Sequence, residues 1–337
     1  MPRVESGAVT RFAVFGAGAI GCWIGGRLSA AGAEVTLIGR PRVMSELEAG
    51  LRVSEMQGGM REAHPKLATE ASAALGADFV LVTVKSAATA EAASELARLL
   101  DRPTVVVSLQ NGVRNARVLR DALPDHRVLA GMVPFNVVRR GPGVYLKASE
   151  GTLMLERHDA IAPLSEACLR ADLAFELRDD MPAVQWSKLV LNLNNAINAL
   201  SGKPLAEELA DRDFRRCLAA CQREALDLLR AAEQPLARIT PLPTTWIAKI
   251  LTVPDGVFKL LARRIVAIDP HARSSMWDDL EAKRPTEIDY IQGEIVALAD
   301  RIGRPAPKNR ALVGLVKDAE RGGKRTYTGA ELLAALR

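Results

Sequence analysis

The sequence predicts an α/β domain with a mostly parallel sheet, followed by an all-α domain. Three observations carry this expectation. From residue 10 to about 180, β-type apolar runs alternate with helical stretches; a glycine-spaced turn links the first run to the first helix; and after RDDMP the texture changes to long amphipathic segments. Strands that alternate with helices form a parallel sheet wrapped by those helices, because each parallel crossover needs a long connection. At 337 residues the chain exceeds one average domain of about 100 to 200 residues. The expected domains are therefore 1–180 and 181–337, with the boundary at RDDMP.

Strands are expected at residues 12–15, 35–38, 79–84, 104–109 and 127–132. Residues 144–146 and 152–155 read as extra strands at the end of the same domain. Asp179 or Asp180 is positioned to cap the helix that Pro182 begins, since proline lacks an N–H where a helix start leaves one unpaired. Helical spacing then runs through 184–200, 211–232 and 286–302, while the proline-studded EQPLARITPLPTTW and the following VPDGV read as a loop and a short helix.

Composition narrows the classes. Hydrophobic residues at 48% and charged residues at 25% match soluble globular chains. No segment offers the roughly 18 consecutive apolar residues of a membrane helix. MPRVESGAVT contains no apolar core of a signal peptide, so the expected location is cytoplasmic. Cys22, Cys168, Cys217 and Cys221 are scattered and read as reduced, buried thiols; no metal spacing occurs among them. The net charge of +5 comes from interspersed basic residues without a long run. Nucleic-acid binding is not favoured, and a phosphorylated cofactor accounts for a basic pocket equally well.

Gly16, Gly18 and Gly21 stand as G-x-G-x-x-G directly after a strand and at a helix start. The glycines serve a tight turn, close approach of backbone to a pyrophosphate, and close packing of helix on strand. With Ala17, Ala19 and Ile20 between them, they form a Rossmann-type dinucleotide loop whose N–H groups and helix dipole favour phosphate. An NAD site usually carries an acid at the end of the second strand; here the chain reads IGRPR, and Glu34 lies at the strand's wrong end. Arg40, whose planar fork suits phosphate oxygens, is assigned to a 2′-phosphate, with Arg42 in support. The expected cofactor is NADP(H). Lys85 and Asn111 end two further strands and should face the same crevice.

In PAVQWSKLVLNLNNAINALSG a lysine and several asparagines interrupt an apolar helix. At about 100° per residue, Asn192 lies roughly 40° from Lys188 and Asn195 roughly 20° on the other side. These three share a stripe, and Asn194 and Asn198 point further round. Asparagines on a buried helix are costly unless satisfied, so a polar pocket or a helix–helix network is expected. In the stretch from Ser274 to Glu294, the serines read as a helix cap, Thr286 with Glu287 as the start of another helix, and Asp278, Asp279 and Glu281 as a solvated face.

The sequence resembles the ketopantoate reductases, or 2-dehydropantoate 2-reductases, over nearly its whole length and in order. The residues that carry the likeness are GAGAIG, VK, LQNG, W-x-K followed by asparagines, and SSM-x-x-D…TEIDYI-x-G. The resemblance implies a Rossmann-type domain, a helical domain, and NADPH-dependent reduction of 2-dehydropantoate to pantoate on the route to pantothenate and coenzyme A. It also implies catalytic roles for Lys188 and Glu287, and substrate contacts from Asn111, Asn192 and Ser275. Cofactor contacts follow from Arg40 and Lys85, with Asn111 and Glu287 also counted at the cofactor. One departure stands out. Family members commonly carry a second asparagine eight residues after the lysine, where this chain has Ala196; Asn195 is the candidate replacement. That change, with an idiosyncratic segment at 231–273, leaves room for another branched 2-oxo acid. A non-catalytic NADP(H) sensor is the other alternative. The expected partner is a small 2-oxo acid, and a homodimer is plausible on general grounds.

Overall fold

The computed structural model describes residues 9–258 and 272–336. Most of the MPRVESGAVT stretch and part of the 231–273 segment therefore lie outside the described residues. Two compact units meet in sequence at Met181 and Pro182.

The first unit runs β1 (Arg11–Phe15), α1 (Ala19–Ala30), β2 (Glu34–Ile38), α2 (Pro41–Leu47), β3 (Leu51–Ser54), β4 (Arg61–Ala63), β5 (Lys66–Ala68), β6 (Phe79–Val82), α3 (Thr89–Leu99) and β7 (Val105–Ser108). It continues through α4 (Asn115–Ala122), β8 (Arg127–Met132), β9 (Val137–Gly141), β10 (Val144–Lys147), β11 (Leu153–Glu156), α5 (Ala162–Arg170) and β12 (Phe175–Arg178). The main sheet has the order β12-β11-β8-β7-β6-β1-β2-β5. From β5 across to β8 every pair is parallel, whereas β11 runs antiparallel to β8. Central strands are apolar without alternation because both faces are covered. Phe12, Val14, Leu37, Leu81 and Val107 pack on one side; Ala13, Phe15, Val80, Val82 and Val106 pack on the other. This is the expected α/β architecture.

Both extra strands expected at 144–146 and 152–155 are present, as β10 and β11, but a second sheet, β4-β3-β10-β9, is new. Residues 144–146 do not extend the main sheet; β10 pairs with β3 and β9, and only β11 joins the larger sheet. LRVS and REA are too short and too polar to announce strands, so the partners of β10 were illegible locally. The small sheet determines the character of α1. Residues 21–28 of that helix are all buried, because it is covered on two sides. A Cβ on Gly25 would lie 2.6 Å from Leu37 Cδ2 of β2, and one on Gly26 would lie 2.7 Å from Val53 Cγ1 of β3. Trp23 Nε1 donates to Ser54 O at 3.0 Å, and buried Arg27 donates through Nη1 to Glu55 Oε1 at 2.6 Å. A buried guanidinium needs such a partner to offset its lost hydration.

The second unit is helical: α6 (Met181–Asn192), α7 (Asn194–Ser201), α8 (Leu205–Ala210), α9 (Arg212–Ala231) and α10 (Thr244–Ile250), then helices Ser275–Glu281, Gln292–Arg301, Pro307–Glu320 and Gly329–Ala335. α9 starts after Asp211, whose carboxylate accepts from Asp213 N at 2.9 Å. The continuous helix expected over 184–200 is instead interrupted at Leu193, although that residue keeps right-handed helical angles (φ −56, ψ −20). Gln222 Nε2 donates to Val190 O at 3.2 Å, and Gln292 Nε2 donates to Leu193 O at 2.8 Å. Both glutamines are buried. Side chains from elsewhere in the unit thus bond backbone carbonyls at the break, which is one recognised cause of a helix irregularity. The helix expected from Thr286 begins only at Gln292. Thr286 Oγ1 accepts from Ile288 N at 3.2 Å and holds a single tight turn, Ile288–Tyr290, ahead of it.

Candidate active site

The strand order of the first unit reverses between β1 and β6, and in an open α/β sheet the ligand crevice lies at the carboxyl ends of the strands there. The residues from Gly16 to Gly21 follow β1 at that end. Gly16 adopts φ +116°, and a Cβ there would meet Val84 N at 2.6 Å. Gly18 is different: open space surrounds the position of its missing Cβ, which is the room a pyrophosphate needs beside the backbone. It is the N-cap of α1 and offers no capping side chain, so the first-turn N–H groups face outward for an anion. Gly21 seals the turn. A Cβ on it would overlap Gly16 O and lie 2.5 Å from Thr83 Oγ1. Gly21→Ala is expected to destabilise the fold by about 1–3 kcal/mol through overpacking, read by denaturant unfolding; unchanged stability would show that the turn yields freely.

Arg40 follows β2, is exposed, and its side chain makes no ion pair among the described residues. Arg42 is engaged at 3.5 Å with Glu46, and Glu34 at the far end of β2 pairs with Lys66. Lys85 is exposed just beyond β6, and Asn111 is partly buried beyond β7, where Gly112 turns the chain at φ +89°. A polar network joins these last two loops, and it was not anticipated. Gln110 Nε2 donates to Val84 O at 3.0 Å and to Thr89 Oγ1 at 2.7 Å; Thr89 Oγ1 donates to Asn115 Oδ1 at 2.8 Å. Asn115 Nδ2 reaches Ser86 Oγ at 3.1 Å, and that hydroxyl donates to Asn111 O at 3.1 Å. Such a buried, mutually satisfied chain fixes loop geometry. Its only trace in the sequence is polar residues just after apolar strands.

In the second unit Lys188 lies on α6, partly buried, and burial pushes its ammonium down to about 8. Asn192 closes α6 and Asn195 is the second residue of α7; Leu193 between the two helices keeps right-handed helical angles and bonds back to Leu189 O at 3.1 Å. Asn195 is partly buried, and its carboxamide makes no hydrogen bond among the described residues. Ala196, by contrast, is buried in the core. Ser274 is the N-cap of helix Ser275–Glu281, accepting from Trp277 N at 3.1 Å and donating to Asn195 O at 3.1 Å. That bond ties the residue next to exposed Ser275, which lies in the first helical turn, to the backbone of Asn195. The acidic face expected beside it is not wholly solvated, because Asp279 is buried and holds Arg284 at 3.2 Å. Glu287, partly buried, is the N-cap of the tight turn Ile288–Tyr290.

A parallel sheet with a glycine turn at its switch point, joined in one chain to a helical unit bearing a half-buried lysine, defines a nicotinamide-dependent oxidoreductase. Residues 12–160 match the family described as Ketopantoate reductase PanE/ApbA, and residues 180–320 match its C-terminal family, Ketopantoate reductase PanE/ApbA C terminal. The 2-dehydropantoate 2-reductase of Halobacterium salinarum is 32% identical over 320 residues, spanning 93% of this chain and 100% of that protein. The crystal structure of a PanE/ApbA family ketopantoate reductase from Ralstonia eutropha superposes with a TM-score of 0.80 at 31% identity, covering 93% of this chain and 99% of the other. D-mandelate dehydrogenase, in a complex with NADH and anilino(oxo)acetate, shares the fold with a TM-score of 0.78 at 20% identity, covering 93% and 99% of the two chains. The chain belongs to the ketopantoate reductase PanE/ApbA family.

Proposed function

We propose that this protein catalyses NADPH-dependent reduction of 2-dehydropantoate to pantoate. The observation that carries the reading is Lys188: a lysine on an apolar helix, its proton affinity lowered by burial, followed by the carboxamides of Asn192 and Asn195. The glycine turn fits a dinucleotide, since Gly18 leaves open space and α1 presents uncapped N–H groups. In this reading residues Gly16 to Gly21 hold the pyrophosphate, Arg40 the 2′-phosphate, and Lys85 and Asn111 the ribose and nicotinamide side. When bound, the reduced nicotinamide supplies hydride to the C2 carbonyl. Lys188 Nζ donates the proton to the C2 oxygen and stabilises its negative charge as it develops. Glu287 orients Lys188 and the ligand hydroxyls. Asn192, Asn195 and Ser275 bind the carboxylate and hydroxyl of the substrate through neutral hydrogen bonds.

A second reading keeps the chemistry and changes the acid. The family's second asparagine position is Ala196, which is buried, and Asn195 emerges beyond a helix interruption. That arrangement favours a different branched 2-oxo acid if ketopantoate is refused. Following absorbance loss with purified protein, ketopantoate and NADPH, then with other branched 2-oxo acids, separates the two. NADPH binding without turnover of any acid would overturn both.

The pH profile is a further expectation. As a general acid Lys188 must be protonated, so kcat/KM is expected to fall with rising pH through about 8. A profile flat to well above that value would remove the lysine from the proton step. The stability linkage has the opposite sense. The folded pKa of about 8 lies below the ordinary 10.5, so the folded protein binds fewer protons in that window, and this lysine's contribution to stability rises with pH across it.

A further inference from the structure

Glu208 of α8 is a fully buried carboxyl with no ion pair among the described residues. Its Oε2 accepts from Asn198 Nδ2 at 2.8 Å and from Asn194 Nδ2 at 3.4 Å. Its Oε1 has no hydrogen-bond partner among the described residues, and neither has Asn194 Oδ1, also buried. An ionised carboxylate accepts only, as does an amide oxygen, so the charged form leaves two buried acceptors without a donor. One proton satisfies both. On Oε1 it makes that oxygen a donor, and the unpaired acceptor at hand is Oδ1 of Asn194, whose Nδ2 already contacts the same carboxyl, so the two groups can pair as a two-bond ring.

The other half of the network leads toward the proposed substrate residues. Asn198 Nδ2 also donates to Lys203 O at 3.0 Å, and its Oδ1 accepts from Ser274 N at 2.8 Å. Ser274 in turn donates to Asn195 O and caps the helix that carries Ser275. We propose that Glu208 is a neutral carboxylic acid that positions Asn195 and Ser275 for substrate through its ring with Asn194 and its bond to Asn198. The positioning part rests on the substrate roles given to those two residues under the proposed function. Desolvation supports the protonated form independently, pushing the Glu208 carboxyl up to about 8. Of the charged residues that follow it in sequence, Arg215 of α9 donates to Leu209 O and Ala210 O and pairs with Asp255, and Asp211 caps α9.

The test compares Glu208→Gln with Glu208→Leu. Glutamine has the shape of the neutral acid, and its Nε2 donates to Asn194 Oδ1 while its oxygen accepts from Asn198. Leucine strands both asparagines. The expected result is a KM for the 2-oxo acid close to wild type in Glu208→Gln and about tenfold higher in Glu208→Leu, with the KM for NADPH unchanged in both. Infrared difference spectra at neutral pH should show a carboxylic-acid carbonyl band in the wild type that is lost in Glu208→Gln. Should the leucine variant fail to fold, the glutamine kinetics and the band decide. Absence of the band, or a glutamine variant that raises KM about tenfold, overturns the proposal. Should the wild type reduce no 2-oxo acid, the positioning role falls with the functional reading, while the band still decides the protonation of Glu208.

Discussion

Lys188→Ala is expected to lower kcat by about 10²-fold or more while leaving the affinity for NADPH within error. The reason is that the roles proposed for cofactor and catalysis fall on different units. The dinucleotide loops assigned here all lie in the first unit, at the ends of β1, β2, β6 and β7, whereas Lys188 lies on α6 of the second. On the proposed mechanism, removing the ammonium takes away the proton and the charge that meets the forming alkoxide, yet touches none of the loops given to the phosphates. Titration of the variant with NADPH by fluorescence, beside single-turnover rates, reads the two effects separately. Parallel loss of both would reassign Lys188 to cofactor binding.

Arg40→Ala carries the second large effect, and it is one of preference. Arg40 is exposed and unpaired among the described residues, while Arg42 already contacts Glu46, so Arg40 is the cation left to meet a 2′-phosphate after β2. Its loss is expected to weaken NADPH by about tenfold or more, since a charge-assisted contact disappears, and to leave NADH nearly unchanged. Binding of both coenzymes to both forms of the protein gives the ratio. An unaltered ratio would refute the role, and an equal loss for the two coenzymes would point to damage in the loop itself.

The α/β sheet and the helical unit were legible because their signals are local: apolar runs of strand length, a glycine turn with its own geometry, and helical spacing after RDDMP. The family was legible from motifs spread along nearly the whole chain, and the matches to both halves agree with that resemblance. The small sheet was not legible, because β3 and β4 acquire strand character only by pairing with each other and with a distant β10. The interruption at Leu193 was hidden for a similar reason. The apolar spacing runs straight through it, and the side chains that bond carbonyls there, Gln222 and Gln292, come from distant segments. Burial of Asp279 and Glu208 was equally invisible, since acids on a short helix read as solvated until the neighbouring elements are known.

The helix that opens with the glycine turn is covered by a sheet on each side, and this bears on how the protein can change over generations. Between Gly21 and Leu28 every residue is buried, and at Gly25 and Gly26 even one added carbon meets a neighbouring side chain. A side chain added there forces its neighbours to move, so packing constrains the helix beneath the glycine turn closely. Arg40 sits outside that clamp, in contact with solvent. On the role proposed for Arg40, coenzyme choice is thereby separable from foldability: a substitution in one exposed loop can alter it while the packed helix beneath stays fixed.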